Sequence, residues 1–312
     1  MVGDTDGIQT AVMADHGIEI DWVALGPVLE RGAEVHAPLY ADAVRWLGSR
    51  VGRDTDVGGD QGEVRLVLDV GAGPGVITAL LASTFPSARV IAVDGEPDLL
   101  GRTAARAARN GLGDRVETRV VDLPDGLDDL GDVIGAADVV WASHVLHHIG
   151  DQQDAVRRVG RLLRPGGLLG LAEGGLPTRS LPRDIGIGRP GLESRLDAAH
   201  EAWFAEMRAA LPGARPAVEH WPGLLASAGL VPSVSRTFLL DLAAPLEDPV
   251  REQVRHRFER SRETLSGRID ADDLSVLDRL LDDHDGAHAL THREDVFLLT
   301  ATTVHLAVAP AT

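Results

Sequence analysis

The sequence predicts an α/β fold, a doubly wound and mostly parallel sheet with helices on both faces. Five short apolar runs, each a candidate strand, alternate with helical patterns between residues 64 and 173. Each run ends in a polar residue, and the first leads into a glycine-rich turn. This alternation favours a parallel sheet, and the carboxyl ends of its strands are where such folds bind ligands.

The first candidate strand, residues 64–70, ends in a turn that carries three glycines. Gly71, Gly73 and Gly75 are spaced two apart, and a helical pattern over 76–83 follows directly. Glycines at this place let bare backbone approach a ligand closely. A tight turn without any ligand is the alternative interpretation.

The neighbours of this turn indicate which ligand it suits. A dinucleotide-binding turn has its third glycine three places after the second, but that place holds Val76. Asp69 lies just ahead of the turn, where a carboxylate would repel a pyrophosphate at the helix N-terminus. Pro74 removes one backbone donor. The pattern therefore favours a ligand with an ammonium or hydroxyl groups and no phosphate.

The other four candidate strands also end in polar side chains. Asp94 follows the second run about 20 residues after the turn, the spacing at which a carboxylate holds ribose hydroxyls. Asp is also favoured in turns and helix caps, so each acid alone could have only that role. The runs and the residues that follow them are 89–93 with Asp94, 116–121 with Asp122, 138–142 with Ser143 and His144, and 168–172 with Glu173.

Five motifs around these strands, taken in chain order, resemble the motifs of the class I S-adenosylmethionine (SAM)-dependent methyltransferases. The whole chain is also similar to an actinobacterial, small-molecule-type group of these enzymes, a likeness that identifies no substrate. The resemblance covers residues 63–175 and rests on Leu68-Asp-Val-Gly-Ala-Gly-Pro-Gly75, Val93-Asp-Gly95, Val121-Asp-Leu123, Trp141-Ala-Ser-His-Val-Leu-His-His148 and Leu163-Arg-Pro-Gly-Gly167.

The resemblance implies SAM as the cofactor, S-adenosylhomocysteine as the product and a role for each matching residue. The glycine turn would lie under the methionine part of SAM, and Asp69 would hold its ammonium group directly or through water. Asp94 matches the acid on the ribose, and Asp122 the acid on the adenine amino group. The implied cofactor-binding residues are Asp69, Gly71, Ala72, Gly73, Gly75, Asp94, Gly95, Asp122, Leu123 and Ser143.

The reaction is an in-line displacement, so alignment can supply much of the acceleration, while a hydroxyl acceptor also needs a base. We expect His144 to be that base, with His148 second and Glu173 as a further base or the partner of a substrate amine. His148 could instead only close the turn, and Glu173 could be a capping acid or pair with Arg179 or Arg183. No third acidic ligand accompanies the His-x-x-His-His pattern, so no metal is expected.

Segments outside the core are expected to determine the substrate. Helical patterns cover 20–51, 192–211, 221–230, 249–265 and 272–281, 174–190 is expected as a loop, and strand patterns cover 233–242 and 296–308. The resemblance implies seven strands with an antiparallel last one. The predicted divisions are 1–60 (helical segment and linker), 61–175 (SAM-binding core), 176–220 (lid insertion) and 221–312 (rest of the sheet, with a helical insertion at 245–292).

Composition limits the class of protein. The 312 residues include no cysteine, which excludes disulfides, thiolate metal sites and cysteine nucleophiles. A net charge of −18 argues against a nucleic-acid substrate, because phosphate binding needs a basic surface. No early apolar stretch predicts a signal peptide or a membrane span. We therefore expect a cytoplasmic protein with a small-molecule substrate, and a homodimer is one option for its oligomeric state.

The resulting hypothesis is methyl transfer from SAM to a small organic acceptor, with secondary metabolism suggested by the resemblance alone. An NAD(P)-dependent oxidoreductase is the first alternative, which Val76 and the expected antiparallel last strand disfavour. A catalytically inactive SAM-binding protein that regulates a partner is the second.

Overall fold

The structure is a computed structural model that describes residues 22–52 and 63–311. Residues 1–21 and 53–60 of the predicted 1–60 division, which include its linker, lie outside the described residues. The elements are, in chain order, α1 (Trp22–Arg50), β1 (Leu66–Val70), α2 (Val76–Thr84), β2 (Arg89–Asp94), α3 (Pro97–Arg109), β3 (Val116–Val120), α4 (Leu127–Ile134), β4 (Ala137–Ser143), a short 3-10 helix (Leu146–His148), α5 (Gln152–Arg161), β5 (Leu163–Arg179), α6 (Leu192–Ala210), α7 (Trp221–Ser227), β6 (Val231–Leu242), α8 (Asp248–Leu265), α9 (Ala271–Leu281), a second 3-10 helix (Gly286–His288) and β7 (Leu298–Val308).

The described strands form one seven-stranded sheet in the order β3-β2-β1-β4-β5-β7-β6. The pairs β1–β2, β2–β3, β1–β4 and β4–β5 are parallel. β7 is antiparallel to its neighbours: the Ala309 N–H donates to the Gly167 carbonyl at 2.9 Å, and Ser235 and Thr237 of β6 lie beside His305 and Thr303. The predicted fold class, with its antiparallel last strand, is confirmed.

β4 lies at the centre of the sheet, and all seven of its residues are buried. A near-continuous apolar run is typical of a strand covered on both faces. On the neighbouring strand, a Cβ added to Gly170 would lie 2.8 Å from the Trp141 ring and 3.0 Å from a methyl group of Leu47 in α1. The missing side chain therefore allows α1 to approach the sheet.

Two sequence-based predictions of local structure need correction. The pattern over 20–51 indicated helices, but the described part is the single helix α1, which continues through Pro27 and Pro38. The stretch 174–190 was expected as a loop, yet β5 continues to Arg179. Pairing explains this extension, because the Thr178 hydroxyl bonds that of Thr300 on β7 at 3.1 Å.

Helix α4 was not predicted. Its eight residues follow Gly126 and include Gly131, so the periodic pattern is short and interrupted.

The described residues divide into two compact units. The sheet unit comprises the described part of Gly7–Glu173 with Leu211–Phe238 and Thr302–Thr312. The helical unit comprises Gly174–Ala210 and Leu239–Ala301, and it includes α6, α8 and α9. The predicted domain boundaries, including the lid at 176–220 and the insertion at 245–292, stay predictions.

A buried ion pair organises the helical unit. Arg257 donates to Glu193 at 2.9 Å and to the Thr178 carbonyl at 3.0 Å, while Glu193 accepts from the backbone N–H groups of Ser180 and Leu181. Glu193 is 6% exposed and Arg257 is 5% exposed. Their charges are therefore balanced by each other and by the backbone rather than by water.

Candidate cofactor and acceptor site

The glycine turn after β1 adopts left-handed backbone at each of its three glycines. The φ angles are 72° at Gly71, 54° at Gly73 and 77° at Gly75. A Cβ on Gly71 would lie 2.7 Å from Val145, and one on Gly75 would lie 2.6 Å from Thr103, whereas a Cβ on Gly73 would meet no atom within 4 Å. Gly71 and Gly75 are therefore required for packing, and Gly73 leaves open space above the turn.

Asp94 holds the turn and the start of α3 together. Its Oδ2 accepts from the Gly73 N–H at 2.8 Å and its Oδ1 from the Glu96 N–H at 3.0 Å. Desolvation raises the pKa of Asp94, while these backbone donors and the N–H of Gly95 oppose the shift. Because each carboxylate oxygen has a second lone pair, Asp94 can still accept from ligand hydroxyl groups beside the open space at Gly73.

Asp69 lies near the end of β1, two residues before Gly71, and is 2% exposed. Its Oδ2 accepts from the Thr78 hydroxyl at 2.6 Å. Burial raises the pKa of Asp69 to about 7, Thr78 opposes the shift, and the nearby charge of Asp94 adds to it. Asp69 is thus partly protonated near neutral pH, and a cationic ligand would favour its ionised form.

The segments after β2 and β3 lie next to each other. The Val121 N–H donates to the Asp94 carbonyl at 2.9 Å, and a Cβ on Gly95 would lie 3.8 Å from the Val121 carbonyl oxygen. Asp122 follows and is exposed, and its carbonyl accepts from the Gly126 N–H at 2.8 Å. Asp122 and Leu123 are therefore at the same strand edge as Asp94, with the Asp122 carboxylate open to solvent.

Glu173 organises the segment that follows β4. Its Oε1 accepts from the backbone N–H groups of Val145 (3.1 Å) and Leu146 (2.9 Å), and its Oε2 lies 2.6 Å from Nδ1 of His147. Burial alone would raise the pKa of Glu173, but His147 and these donors lower it below its ordinary value. Glu173 is a buried capping carboxylate, which makes it a poor candidate for a base that exchanges protons with a substrate.

Of the two alternatives considered for Glu173, the structure shows the capping contacts and an ion pair with a histidine instead of an arginine. Glu173 pairs with His147 in the sheet unit, while Arg179 pairs with Asp197 in the helical unit. The sequence offered no signal for His147 as the partner of Glu173. His147 lies three residues after His144, the histidine expected to act on the acceptor, and no motif links it to Glu173.

His144 is the most unusual residue of the site. It is 2% exposed, its φ is 51°, and its backbone N–H donates to the Ala172 carbonyl at 3.0 Å. Neither ring nitrogen has a hydrogen-bond partner among the described residues. Burial lowers the pKa of His144 to about 4; Glu173 opposes the shift, and His147 adds to it. An unpaired buried polar group costs about 1–3 kcal/mol, so a ligand that donates to His144 would recover this free energy.

His148 and Ser143 lie on either side of this residue along the chain. His148 ends the 3-10 helix, its N–H donates to the Val145 carbonyl at 3.2 Å, and its ring lies 4.0 Å from that of His147. Ser143 is buried at the end of β4. The helical position of His148 fits the turn-closing role that was left open for it.

Tyr40 was missed as a site residue. It lies on α1, its ring is edge-on to that of His144 at 6.3 Å, and burial raises its pKa to about 12 against the nearby hydroxyls of Ser143 and Thr302. In the sequence it is only an aromatic position within the helical pattern over 20–51. Its contact with the strand ends depends on tertiary packing.

Three of these residues form a potential set of metal ligands. His144, His147 and Glu173 each offer one donor atom, all within 4.8 Å of one another. Both oxygens of Glu173 already accept hydrogen bonds, from backbone N–H groups and from His147. The absence of a metal therefore stays our expectation.

SAM fits the residues at this strand edge. The space at Gly73 would receive the methionine part, Asp94 the ribose hydroxyls, and Asp122 with Leu123 the adenine. Asp69, held by Thr78, would face the ammonium group from below. These assignments stay predictions for the individual residues. Among the described residues, no helix has the length and hydrophobicity needed to cross a bilayer.

Comparison with known proteins agrees with this interpretation. Residues 68–169 match a family described as "Methyltransferase domain". A trans-aconitate 2-methyltransferase of Methylobacterium radiotolerans is 34% identical over 146 residues, which are 42% of this chain and 51% of that protein. An uncharacterised protein of Mycobacterium tuberculosis is 40% identical over 149 residues, 47% of each chain. The chain thus spans about half the length of the curated relatives it matches.

Among solved structures, YcgJ of Bacillus subtilis is 15% identical, with a TM-score of 0.46 over 87% of this chain and 99% of that one. The strand order and the family match define the class of this region, a Rossmann-like methyltransferase domain. The match over residues 68–169 supports the resemblance to the class I SAM-dependent methyltransferases, and SAM is the cofactor that this resemblance implies. The resemblance is confirmed at this level, while the actinobacterial group stays a prediction.

Proposed function

We propose that the chain transfers a methyl group from SAM to a small organic acceptor. The observation that carries the proposal is the open glycine turn at Gly73 beside the carboxylate of Asp94, within a matched methyltransferase domain. Bound SAM supplies a methyl group on a cationic sulfur that is already a good leaving group. The chain then has to bind SAM and the acceptor, align the two molecules and exclude water. Alignment alone can supply much of the acceleration of the reaction.

A small acceptor is supported by charge. The net charge of −18 disfavours nucleic acid, and one relative is named for the methylation of trans-aconitate, a small molecule. Secondary metabolism as the setting rests on the resemblance of the sequence alone. His144 is the residue we assign to the acceptor, since it combines burial, left-handed backbone and unpartnered ring nitrogens.

Calorimetry with SAM, S-adenosylhomocysteine and NADH in parallel tests the cofactor. We expect both adenosyl compounds to bind and NADH not to bind, because Val76 replaces the third glycine of a dinucleotide turn. NADH binding alone would favour the oxidoreductase instead. Cofactor binding without methyl transfer to any component of a metabolite extract, followed as mass gains of one methyl, would favour a regulatory SAM-binding protein.

Asp94→Ala tests the site directly. The ribose hydroxyls would lose a charged acceptor, so the affinity for S-adenosylhomocysteine should fall by roughly 1–3 kcal/mol. Asp114→Ala is the matched control, because Asp114 is an exposed acid in the loop before β3. Unchanged affinity in Asp94→Ala would remove this residue from the site.

A further inference from the structure

The segment that follows β4 begins with an unfavourable backbone conformation. Within residues 22–52 and 63–311, His144 is the one residue other than glycine with left-handed backbone, at a φ of 51°. Its N–H donates to the Ala172 carbonyl of β5 at 3.0 Å. A residue with a Cβ is disfavoured in this conformation, so contacts of the neighbouring residues must hold it in place.

A single carboxylate supplies such contacts to the residues after His144. Oε1 of Glu173 accepts from the N–H groups of Val145 at 3.1 Å and Leu146 at 2.9 Å, and Oε2 lies 2.6 Å from Nδ1 of His147. Glu173 is 1% exposed, so water does not replace these bonds. A buried N–H group without an acceptor is costly, and the path of the chain over 145–147 therefore depends on this side chain.

Val145 connects this segment to the glycine turn after β1. A Cβ added to Gly71 would lie 2.7 Å from Cγ2 and 2.8 Å from Cβ of Val145, so the valine packs directly on the bare Cα of Gly71. The same turn is bound to β2, because the Val93 carbonyl accepts from the N–H groups of Gly71 at 2.9 Å and Ala72 at 3.0 Å. A displacement of Val145 would therefore change the packing of the turn that is expected to receive SAM.

We propose that Glu173 is a positioning residue, which fixes His144 for the acceptor and, through Val145, the glycine turn for SAM. This inference rests on the proposed function. Glu173 acts through its neighbours and contacts neither SAM nor the acceptor. His147 is the second member of the device, since its ring binds Oε2 and leaves Oε1 directed to the backbone.

The sheet contains a second buried carboxylate of the same kind, which provides a matched control. Asp138, near the start of β4, is 8% exposed, and its Oδ2 accepts from the N–H groups of Arg65 at 2.8 Å and Leu66 at 2.9 Å. Both acids thus cap two backbone N–H groups and contact one basic side chain. Because Asp138 lies at the opposite end of the strand, its loss should lower stability without changing the site.

Calorimetry with S-adenosylhomocysteine on the full chain separates positioning from stability. Glu173→Met removes both carboxylate oxygens at similar volume, whereas Glu173→Gln keeps one oxygen for the backbone N–H groups. We expect the affinity to fall about fivefold or more in Glu173→Met and to stay within about twofold in Glu173→Gln. Asp138→Leu should also stay within about twofold, although urea denaturation should show a loss of stability. Each affinity is measured where urea denaturation shows that the variant is folded.

Val145 provides a milder test of the path from Glu173 to the turn. Val145→Ala removes the two methyl groups beside Gly71 and should lower the affinity about threefold, whereas Val133→Ala, at an exposed valine of α4, should not change it. If Glu173 acts through Val145, adding Glu173→Met to Val145→Ala should lower the affinity by less than about twofold more. Val145→Ala decides the question even if Glu173→Met does not fold.

The effect on His144 is measured without any ligand. His144→Gly should be more stable than His144→Ala in urea denaturation, because glycine adopts left-handed backbone without a steric cost. The difference should disappear when Glu173→Met is added to both variants, since the segment is then no longer held in this conformation.

Four results would overturn the inference: an affinity of Glu173→Met or Val145→Ala equal to that of the unchanged chain, an equal loss of affinity in Asp138→Leu, additive effects of Glu173→Met and Val145→Ala, or equal stability of His144→Gly and His144→Ala. If S-adenosylhomocysteine does not bind the unchanged chain, the proposed function fails instead, so the two failures are distinguishable.

Discussion

Lowering the pH from 7 to 6 should weaken binding of S-adenosylhomocysteine about fivefold, because Asp69 becomes protonated over that interval. In the free protein, burial raises the pKa of Asp69 to about 7. If the ligand ammonium binds only the ionised carboxylate, the apparent Kd increases by the factor 1 + 10^(pKa − pH). This factor is about 11 at pH 6 and about 2 at pH 7, which gives the expected ratio.

The ligand does not produce this change by itself. Its amino group, with a pKa of about 7.7–8.0, is mostly protonated at both pH values. Binding should also release protons from Asp69, about 0.9 per ligand at pH 6 and about 0.5 at pH 7. Calorimetry in two buffers of different ionisation enthalpy measures this release together with the affinity.

Asp69→Asn is the control, since asparagine keeps an acceptor for Thr78 but does not titrate. The variant should bind more weakly at pH 7, with a flat response between pH 6 and 7. An equally steep response in Asp69→Asn would assign the pH dependence to another group. Undiminished affinity in the variant at pH 7 would contradict the ammonium contact.

The same residue has an effect on stability with the opposite pH dependence. Because the pKa of Asp69 is raised in the folded protein, Asp69 destabilises the fold only at pH values where it must ionise there. The loss of folding free energy is therefore absent near pH 4 and complete above pH 7. Relative to Asp69→Asn, the free energy of unfolding of the ligand-free protein should decrease by up to about 4 kcal/mol between pH 4 and 8. Urea titrations of both proteins measure this difference, and parallel pH profiles would contradict it.

Two further predictions concern packing. Gly73→Ala should cost about 1–2 kcal/mol of stability, because alanine disfavours the left-handed backbone there, and it should weaken cofactor binding. Gly75→Ala should cost more stability, because its Cβ would also overlap Thr103. Equal losses of stability in urea denaturation of the two variants would contradict this. Glu193→Ala should cost about 3–5 kcal/mol, because it removes a carboxylate that the buried Arg257 guanidinium contacts at 2.9 Å. A loss below about 1 kcal/mol in thermal or urea unfolding would show that the guanidinium finds other partners.

The fold was largely predictable because its signals are local. Apolar runs of strand length, glycines after β1 and acids at the strand ends are each read from a few consecutive residues. The extension of β5 through Thr178 could not be found this way, because its partner Thr300 lies far along the chain. Gly174 and Gly175 made the same stretch appear loop-like.

The acceptor side was less predictable than the cofactor side. His144 could be named from its place after β4, but its left-handed backbone and buried nitrogens are results of packing. The pairing of Glu173 with His147 and the approach of Tyr40 from α1 are long-range contacts between elements that carry no shared motif.

A crystal structure of the full chain with S-adenosylhomocysteine tests the central claim most directly. The account predicts the homocysteine part above Gly73, with both ribose hydroxyls on Asp94. A ligand at another edge of the sheet, or ribose hydroxyls with no contact to Asp94, would contradict it.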